Sequence, residues 1–515
     1  MIKMALWSEL NELKNSLSEK EFKNEKTKRT IGFFLGPILF LLLEFVIAPP
    51  SGLTDIAWRC LGVTLWAIVW WVCEPFAVPT TSLLVILLLP ILNILPPEKV
   101  YPNLGHTAIF MVIGAFILVE SLGASGLGKR IALWTVTRPS VNSVWRMAIA
   151  VSLVTMILSS VMPNIPVTIL MISLTIPLLD NLGAPFRGKL TTLLLLSTAF
   201  PSVIGGIITP IGATAPNFLL IGVTQNVLGT SIPFGLWFIT CLPVALLMFV
   251  VMLALFAVFF KKEASNAMDI DAARVNIVQD YKNLGKVTRR ELYAGIAIVL
   301  ALILWVIPGM ATMTLGAQNP TTLILNKYLS MEKVALLVAL LLLIVPLDWK
   351  KREYTIGWKD ASKAVDFGLL IFIAVTFTLP AAFTETGLLK YITGILQGAV
   401  GDLPTIMVVF ILVTIVSLLS QLGLQMPLIA LSVPITASLI GAIGGNPLAA
   451  VLAVGMAAVG GTYLIPISTP VHMVPFSTGR IPMNDFVKAG LPFTIAWVFA
   501  LAFIMYPLAS MIIKF

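Results

Sequence analysis

Charge is scarce in this sequence. Of its 515 residues, 11% are Asp, Glu, Lys or Arg, while 58% are hydrophobic. A soluble domain carries about 25% charge and is nearer half apolar. That excess cannot be hidden in a soluble core, so the composition implies a polytopic membrane protein. Cysteine is nearly absent. Cys60, Cys73 and Cys241 all lie in apolar segments with no histidine nearby, which excludes a disulfide framework and a Cys/His metal site and leaves them as small packed hydrophobes. There are two histidines. No Walker phosphate loop, metal cluster or nucleophile–base pair is present, so neither ATP-driven transport nor enzymatic chemistry is expected, and no cofactor beyond a possible Na+. The net charge of +9 does not make a nucleic-acid surface, because the basic residues sit in short clusters between apolar runs.

What is there is a series of apolar runs. A helix needs about 20 apolar residues to cross a bilayer. Spans are expected at roughly 31–48, 57–75, 79–95, 107–124, 190–225, 232–260, 291–308, 333–347, 366–384, 447–479 and 486–512, with re-entrant hairpins at about 143–184 and 403–444. Basic clusters in the N-terminal tail (from Lys3 to Arg29), after position 260 and around Lys350–Arg352 belong in the cytoplasm by the positive-inside rule. That placement predicts an all-α protein of about 11 crossings, N-terminus cytoplasmic and C-terminus external. Residues 1–30 show no cleavable signal peptide and read as a charged amphipathic segment on the cytoplasmic surface.

Short self-matches recur about 255 to 261 positions apart. Ser125-Gly126-Leu127 resembles Thr386-Gly387-Leu388, Leu174–Pro177 resembles Leu431–Pro434, and Gly205-Gly206…Pro210-Ile211 resembles Gly460-Gly461…Pro466-Ile467. The predicted sidedness inverts one copy against the other, an arrangement common in secondary transporters. The division expected is scaffold helices at 31–106, a first repeat at 107–260, a cytoplasmic loop at 261–290, scaffold helices and linker at 291–365, and a second repeat at 366–515. Each repeat would hold a hairpin (about 143–184, about 403–444) and a broken helix (about 190–225, about 447–479). The runs GGIITPIGATAPN (205–217) and GGTYLIPISTPVH (460–472) cannot be continuous helix, since proline and glycine interrupt the hydrogen-bond ladder. Irregular backbone at membrane depth survives only where it lines a cavity, and half-helix ends suit an anion or a cation there.

At these residues the chain resembles the divalent-anion/sodium symporter family. The match lies in GGIITPIGATAPN, in Gly126–Arg130 and in STGRIPMNDFVKAGLPF (477–493), and covers roughly 30–513. The resemblance implies a homodimer in the plasma membrane, with an elevator-type transport domain moving a small anionic solute, a di- or tricarboxylate, against a fixed scaffold. It also implies a Ser-Asn-Thr motif at each hairpin tip, which neither tip retains. The first tip aligns either as Pro163-Asn164-Ile165 or, one turn on, as Val167-Thr168-Ile169; the second aligns as Leu424-Gln425-Met426. Expected solute-binding residues are Asn164, Thr168, Thr209, Pro210, Gly212, Thr214, Asn217, Gln425, Ser468, Thr469 and His472. Asn164, Gly206, Gly212, Asn217, Gly461 and Thr469 are expected around a coupling ion. Glu120, inside an apolar run, is a further candidate. Lost tip hydroxyls point to fewer sodium ions than in relatives, or to sodium-independent exchange; the other functional reading is an exchanger or channel for a sulfate-like or sulfonate anion.

Overall fold

A computed structural model describes residues 19–230, 232–262, 275–316 and 318–512. The first 18 residues of the amphipathic N-terminal segment and positions 263–274 of the expected cytoplasmic loop lie outside the described residues. Leaving aside four short α-helices and four short 3-10 or π segments, the chain runs α1 (Glu19–Phe45), α2 (Asp55–Cys73), α3 (Val78–Ile91), α4 (Thr107–Ser125), α5 (Leu127–Val136), α6 (Val144–Ser159), α7 (Asn164–Asn181), α8 (Lys189–Gly206), α9 (Thr214–Leu228) and α10 (Phe234–Phe256). It continues with α11 (Arg289–Leu315), α12 (Met331–Ile344), α13 (Phe367–Thr386), α14 (Leu388–Val400), α15 (Thr405–Ser420), α16 (Gln425–Ala442), α17 (Pro447–Gly460), α18 (Pro470–Phe476), α19 (Met483–Ala500) and α20 (Tyr506–Ile512). One two-stranded ribbon pairs Pro346–Asp348 with Glu353–Tyr354.

Among the described residues nine helices are long and apolar enough to cross a membrane, or ten if α14 and α15, bent by 113°, count as one span. Eleven crossings were expected. The sets differ in both directions: α3, α12 and α17 have 14 residues each and α1 is not among the nine, whereas α7 and α16, expected within the re-entrant hairpins, are. Prolines at 96 and 97 close off the α3 segment, and Val345-Pro346 turns the chain from α12 into the ribbon. The boundary expected at 30/31 falls inside α1, which is continuous through it.

Two helices form the buried centre. All 14 residues of α17 are buried, and so is α8 from Leu190 to Gly206. The sequence of α17 is almost entirely Ala, Gly, Val and Leu, small enough for neighbouring backbones to approach closely. The outer helices do the opposite. Phe34, Phe45, Ile303 and Val299 stand exposed, which suits side chains facing lipid.

Helix boundaries recur at a fixed interval. From the start of α6 to the end of α7 (144, 159, 164, 181), every boundary is matched 261 positions later in α15 and α16 (405, 420, 425, 442). The helix starts at Thr214 and Pro470 are 256 apart. In each copy the first two helices pack on the third, α6 and α7 on α8, α15 and α16 on α17. The copies also cross over: α9 packs on α16, and α18 packs on α7. The cavity described next lies between them.

The candidate solute cavity

Asn164 and Gln425 are the first residues of α7 and α16, in equivalent positions. This settles the register of the first tip. The interval of 261 pairs Pro163-Asn164-Ile165 with Leu424-Gln425-Met426, and it shows that the match of Leu174–Pro177 to Leu431–Pro434 is one helical turn out of step. Thr168 therefore sits one turn inside α7, fully buried, with its hydroxyl 3.4 Å from the Thr198 carbonyl.

Both tips and both breaks open onto one cavity of about 390 Å³, within the range of small-molecule sites. Asn164, Gly212, Thr214, Gln425 and Thr469 line it. Three longer helices begin there, at Asn164, Thr214 and Gln425, and none has a side chain capping its first turn. The first N–H groups of a helix have no partner within it and carry about half a positive charge in sum. The short α18 also begins at the cavity, its Thr469 oxygen accepting the Val471 N–H at 3.4 Å. Among the described residues no Lys or Arg lines the cavity. An anion seated there would meet backbone N–H groups and amides rather than a cationic side chain.

The remaining expected residues form a layer behind this wall. Thr209 donates its hydroxyl to the Ser160 carbonyl and accepts the Ile211 N–H at 3.2 Å, which ties the first break to the first tip. Asn217 is fully buried and donates through Nδ2 to the carbonyls of Gly206 (2.8 Å) and Thr209 (3.1 Å), holding the break open. Ser468 does the corresponding work at the second break, donating toward Thr462 and Ile465 carbonyls. Pro210 lies in the turn between α8 and α9 and does not line the cavity. His472 is fully buried, its Nδ1 2.9 Å from the Thr462 carbonyl, and is walled by Phe200, Tyr463 and Phe486. It faces an aromatic cluster rather than the cavity.

Close backbone approach explains two glycines. A Cβ on Gly206 would strike the Asn164 side chain, and one on Gly212 would strike the Ser159 carbonyl and Gly206 itself. The residue four after Ser159 is Pro163, which has no N–H, so that carbonyl cannot receive its helical bond. The side-chain oxygens of Asn164 and Asn217 are likewise buried without a donor.

The opposite wall comes from α2, α4 and α13 through Trp71, Glu74, Phe116 and Phe372. Sequence reasoning passed over these residues. Glu74 is the one charged lining residue among the described residues; it ends α2 in the left-handed region (φ 48°) and lies 3.9 Å from Arg29. Its available signal was a carboxylate beside Pro75 at the end of an apolar run. Glu120, in α4, does not line the cavity.

Helices interrupted around a cavity of apolar walls and a few amides and hydroxyls, within an apolar helical body, are the build of a membrane solute transporter. Residues 28–512 match the model of the sodium:sulfate symporter transmembrane region, and the chain belongs to that family. It is 26% identical over 503 residues to the sodium-dependent dicarboxylate transporter SdcS of Staphylococcus saprophyticus, covering 95% of this chain and 93% of that protein. To SdcS of Staphylococcus aureus strain MRSA252 it is 28% identical over 484 residues, covering 92% and 89%. Its fold is similar to the crystal structure of the Alcanivorax borkumensis YdaH transporter, with a TM-score of 0.54, 12% identity, and 94% and 97% of the two chains covered. That last likeness is one of fold alone.

Proposed function

We propose that the protein is a secondary transporter that moves small dicarboxylates across the plasma membrane, driven by sodium. The observation that carries the anion reading is the convergence of three uncapped helix starts, at Asn164, Thr214 and Gln425, on one cavity without a basic side chain. Each start offers N–H groups to an oxyanion, and two starts on opposite tips suit the two carboxylates of one solute. The SdcS relatives, named as sodium-dependent dicarboxylate transporters, support the choice of solute and coupling ion.

Transport would proceed by an elevator. The helix pairs, both broken helices, α10 and α19 form the moving body, and α1–α4 and α11–α13 form the scaffold that joins a homodimer. Apolar Trp71, Phe116 and Phe372 on the scaffold side then give the moving cavity a wall it can slide past without breaking hydrogen bonds.

Proteoliposomes holding the purified protein test this directly. Labelled succinate should accumulate under an inward sodium gradient and not under a potassium gradient of equal size. Uptake that needs preloaded dicarboxylate and ignores sodium would establish the exchanger instead, a reading favoured by apolar Ile165 and Met426 at the tips.

A further inference from the structure

The two copies no longer treat their backbone oxygens alike. In the first copy two side-chain oxygens around the break, those of Asn164 and the fully buried Asn217, have no donor, and the Ser159 carbonyl beside them cannot receive a helical bond from Pro163. The second copy differs at each of these places, and Gln425, in the place of Asn164, donates its amide to the Val459 carbonyl at 2.9 Å. The Ser420 carbonyl accepts the Gly423 N–H at 3.0 Å, because Gly423 turns the tip in the left-handed conformation (φ 79°) and leaves its N–H free to fold back. Met473 stands where the interval of 256 puts the counterpart of Asn217.

Gln421 occupies the remaining space. It is 4% exposed, and its amide nitrogen donates to the carbonyls of Ser417 (3.1 Å) and Gly461, while its oxygen accepts the Leu464 N–H at 3.0 Å. One side chain thus bridges the end of α15 to two points of the second break, Gly461 and Leu464. Its counterpart in the first copy, 261 positions earlier, is Ser160, whose hydroxyl turns back to the Ile157 carbonyl at 2.7 Å and bridges nothing. The hydroxyls of Ser417 and Thr462 stay unpartnered in the second copy, but each carries a proton of its own.

We propose that the Gln421 amide stands in for a cation at the second break, so that the protein carries one coupling sodium ion per cycle, held at the first break by Asn164, Asn217 and the Ser159 carbonyl. An N–H dipole aimed at two carbonyls supplies the positive end those oxygens require, and it supplies it permanently. Buried oxygens with no donor carry a penalty that a bound cation removes. The inference rests on the sodium-coupled reading above and adds where the ion sits and how many there are.

Thermal unfolding of the purified, substrate-free protein is measured against sodium chloride, with choline replacing sodium at constant ionic strength, and succinate uptake is titrated with sodium in proteoliposomes. The wild type should give Hill slopes near one in both. Asn164→Ala and Asn217→Ala should each raise the sodium midpoint of stabilisation by about tenfold or more, a change of at least about 1.4 kcal/mol. Gln421→Glu keeps the side chain's size but withdraws the N–H groups, and Gln421→Ser empties the space. In at least one of them sodium should restore lost stability with a slope approaching two. Sodium-driven uptake with a wild-type slope of two or more, or slopes near one in both Gln421 variants, overturns the one-ion inference and leaves sodium coupling standing. Succinate uptake and unfolding that both ignore sodium overturn sodium coupling itself.

Discussion

A methyl group at Gly212 would occupy the point where the first break touches the first tip. Its Cβ would collide with the Ser159 carbonyl and with Gly206, both backbone, so nothing can swing aside. Overpacking of this kind costs about 1–3 kcal/mol, and about 1.4 kcal/mol is a factor of ten. Gly212→Ala should therefore cut uptake of labelled succinate by about tenfold while the protein still reaches the membrane in normal amount; full uptake by this variant would show that break and tip do not need their close contact. Thr209→Val tests the polar half of the same joint. It leaves the Ser160 carbonyl and the Ile211 N–H without the hydroxyl they share, a loss of about 1–3 kcal/mol, and should lower both the unfolding temperature and uptake. Thr469→Val also removes a hydroxyl from the cavity wall and should reduce uptake with little change in stability. Neither role can be read from the sequence alone. Thr209 and Thr469 look alike there, and only packing puts one behind the wall and the other in it.

Among the helices, the junction of α7 with α8 and the start of α19 with the residues just before it are bound together. Lys189 reaches Asp485 at 2.6 Å, Arg480 reaches Asp180 at 2.7 Å, and Arg187 donates to the Gly479 carbonyl at 2.9 Å. These contacts span about 300 positions of sequence and join the two copies outside the cavity. The Lys189–Asp485 pair is the more enclosed, with the two side chains 24% and 11% exposed. Lys189→Ala should lower the unfolding temperature, and adding Asp485→Asn should recover part of the loss. A double-mutant cycle is expected to give a coupling of about 1 kcal/mol; purely additive losses would mean the pair is incidental. The same pattern of basic residues in the sequence signals only cytoplasmic sidedness. Their partners lie too far along the chain for any local rule to name.

For the molecule as a whole, the decisive question is whether the copies are inverted across the membrane. Ser140, just before α6, and Asp402, just before α15, are exposed and occupy similar places in the two copies. Single cysteines there, in a protein lacking Cys60, Cys73 and Cys241, should react with an impermeant maleimide from opposite faces of closed vesicles. The background is accessible because the three native cysteines bond to no other cysteine. Labelling of both sites from the same face would rule out the inversion and with it the elevator as drawn above.

The sequence alone was enough for the all-α membrane build and for the family, because both depend on local quantities. Apolar runs must be helical in lipid, where each backbone group needs a partner within its own segment. The Pro- and Gly-rich runs at 205–217 and 460–472 end helices wherever they occur. Spacing along the chain is also local, yet weak motifs measured it imperfectly, and the Leu174–Pro177 match misled by a turn until the helix boundaries were in view. Tertiary structure decided which polar groups face the solute space. Asn164 and Gln425 reach it while Asn217 and His472 do not, and Trp71, Glu74, Phe116 and Phe372 enter it from helices whose sequence carries no shared motif. It also decided that Gln421 bridges a break 40 positions away along the chain. A hydrogen bond of that kind depends on where two backbones come to rest against each other, and that is settled by the packing of the whole helical body.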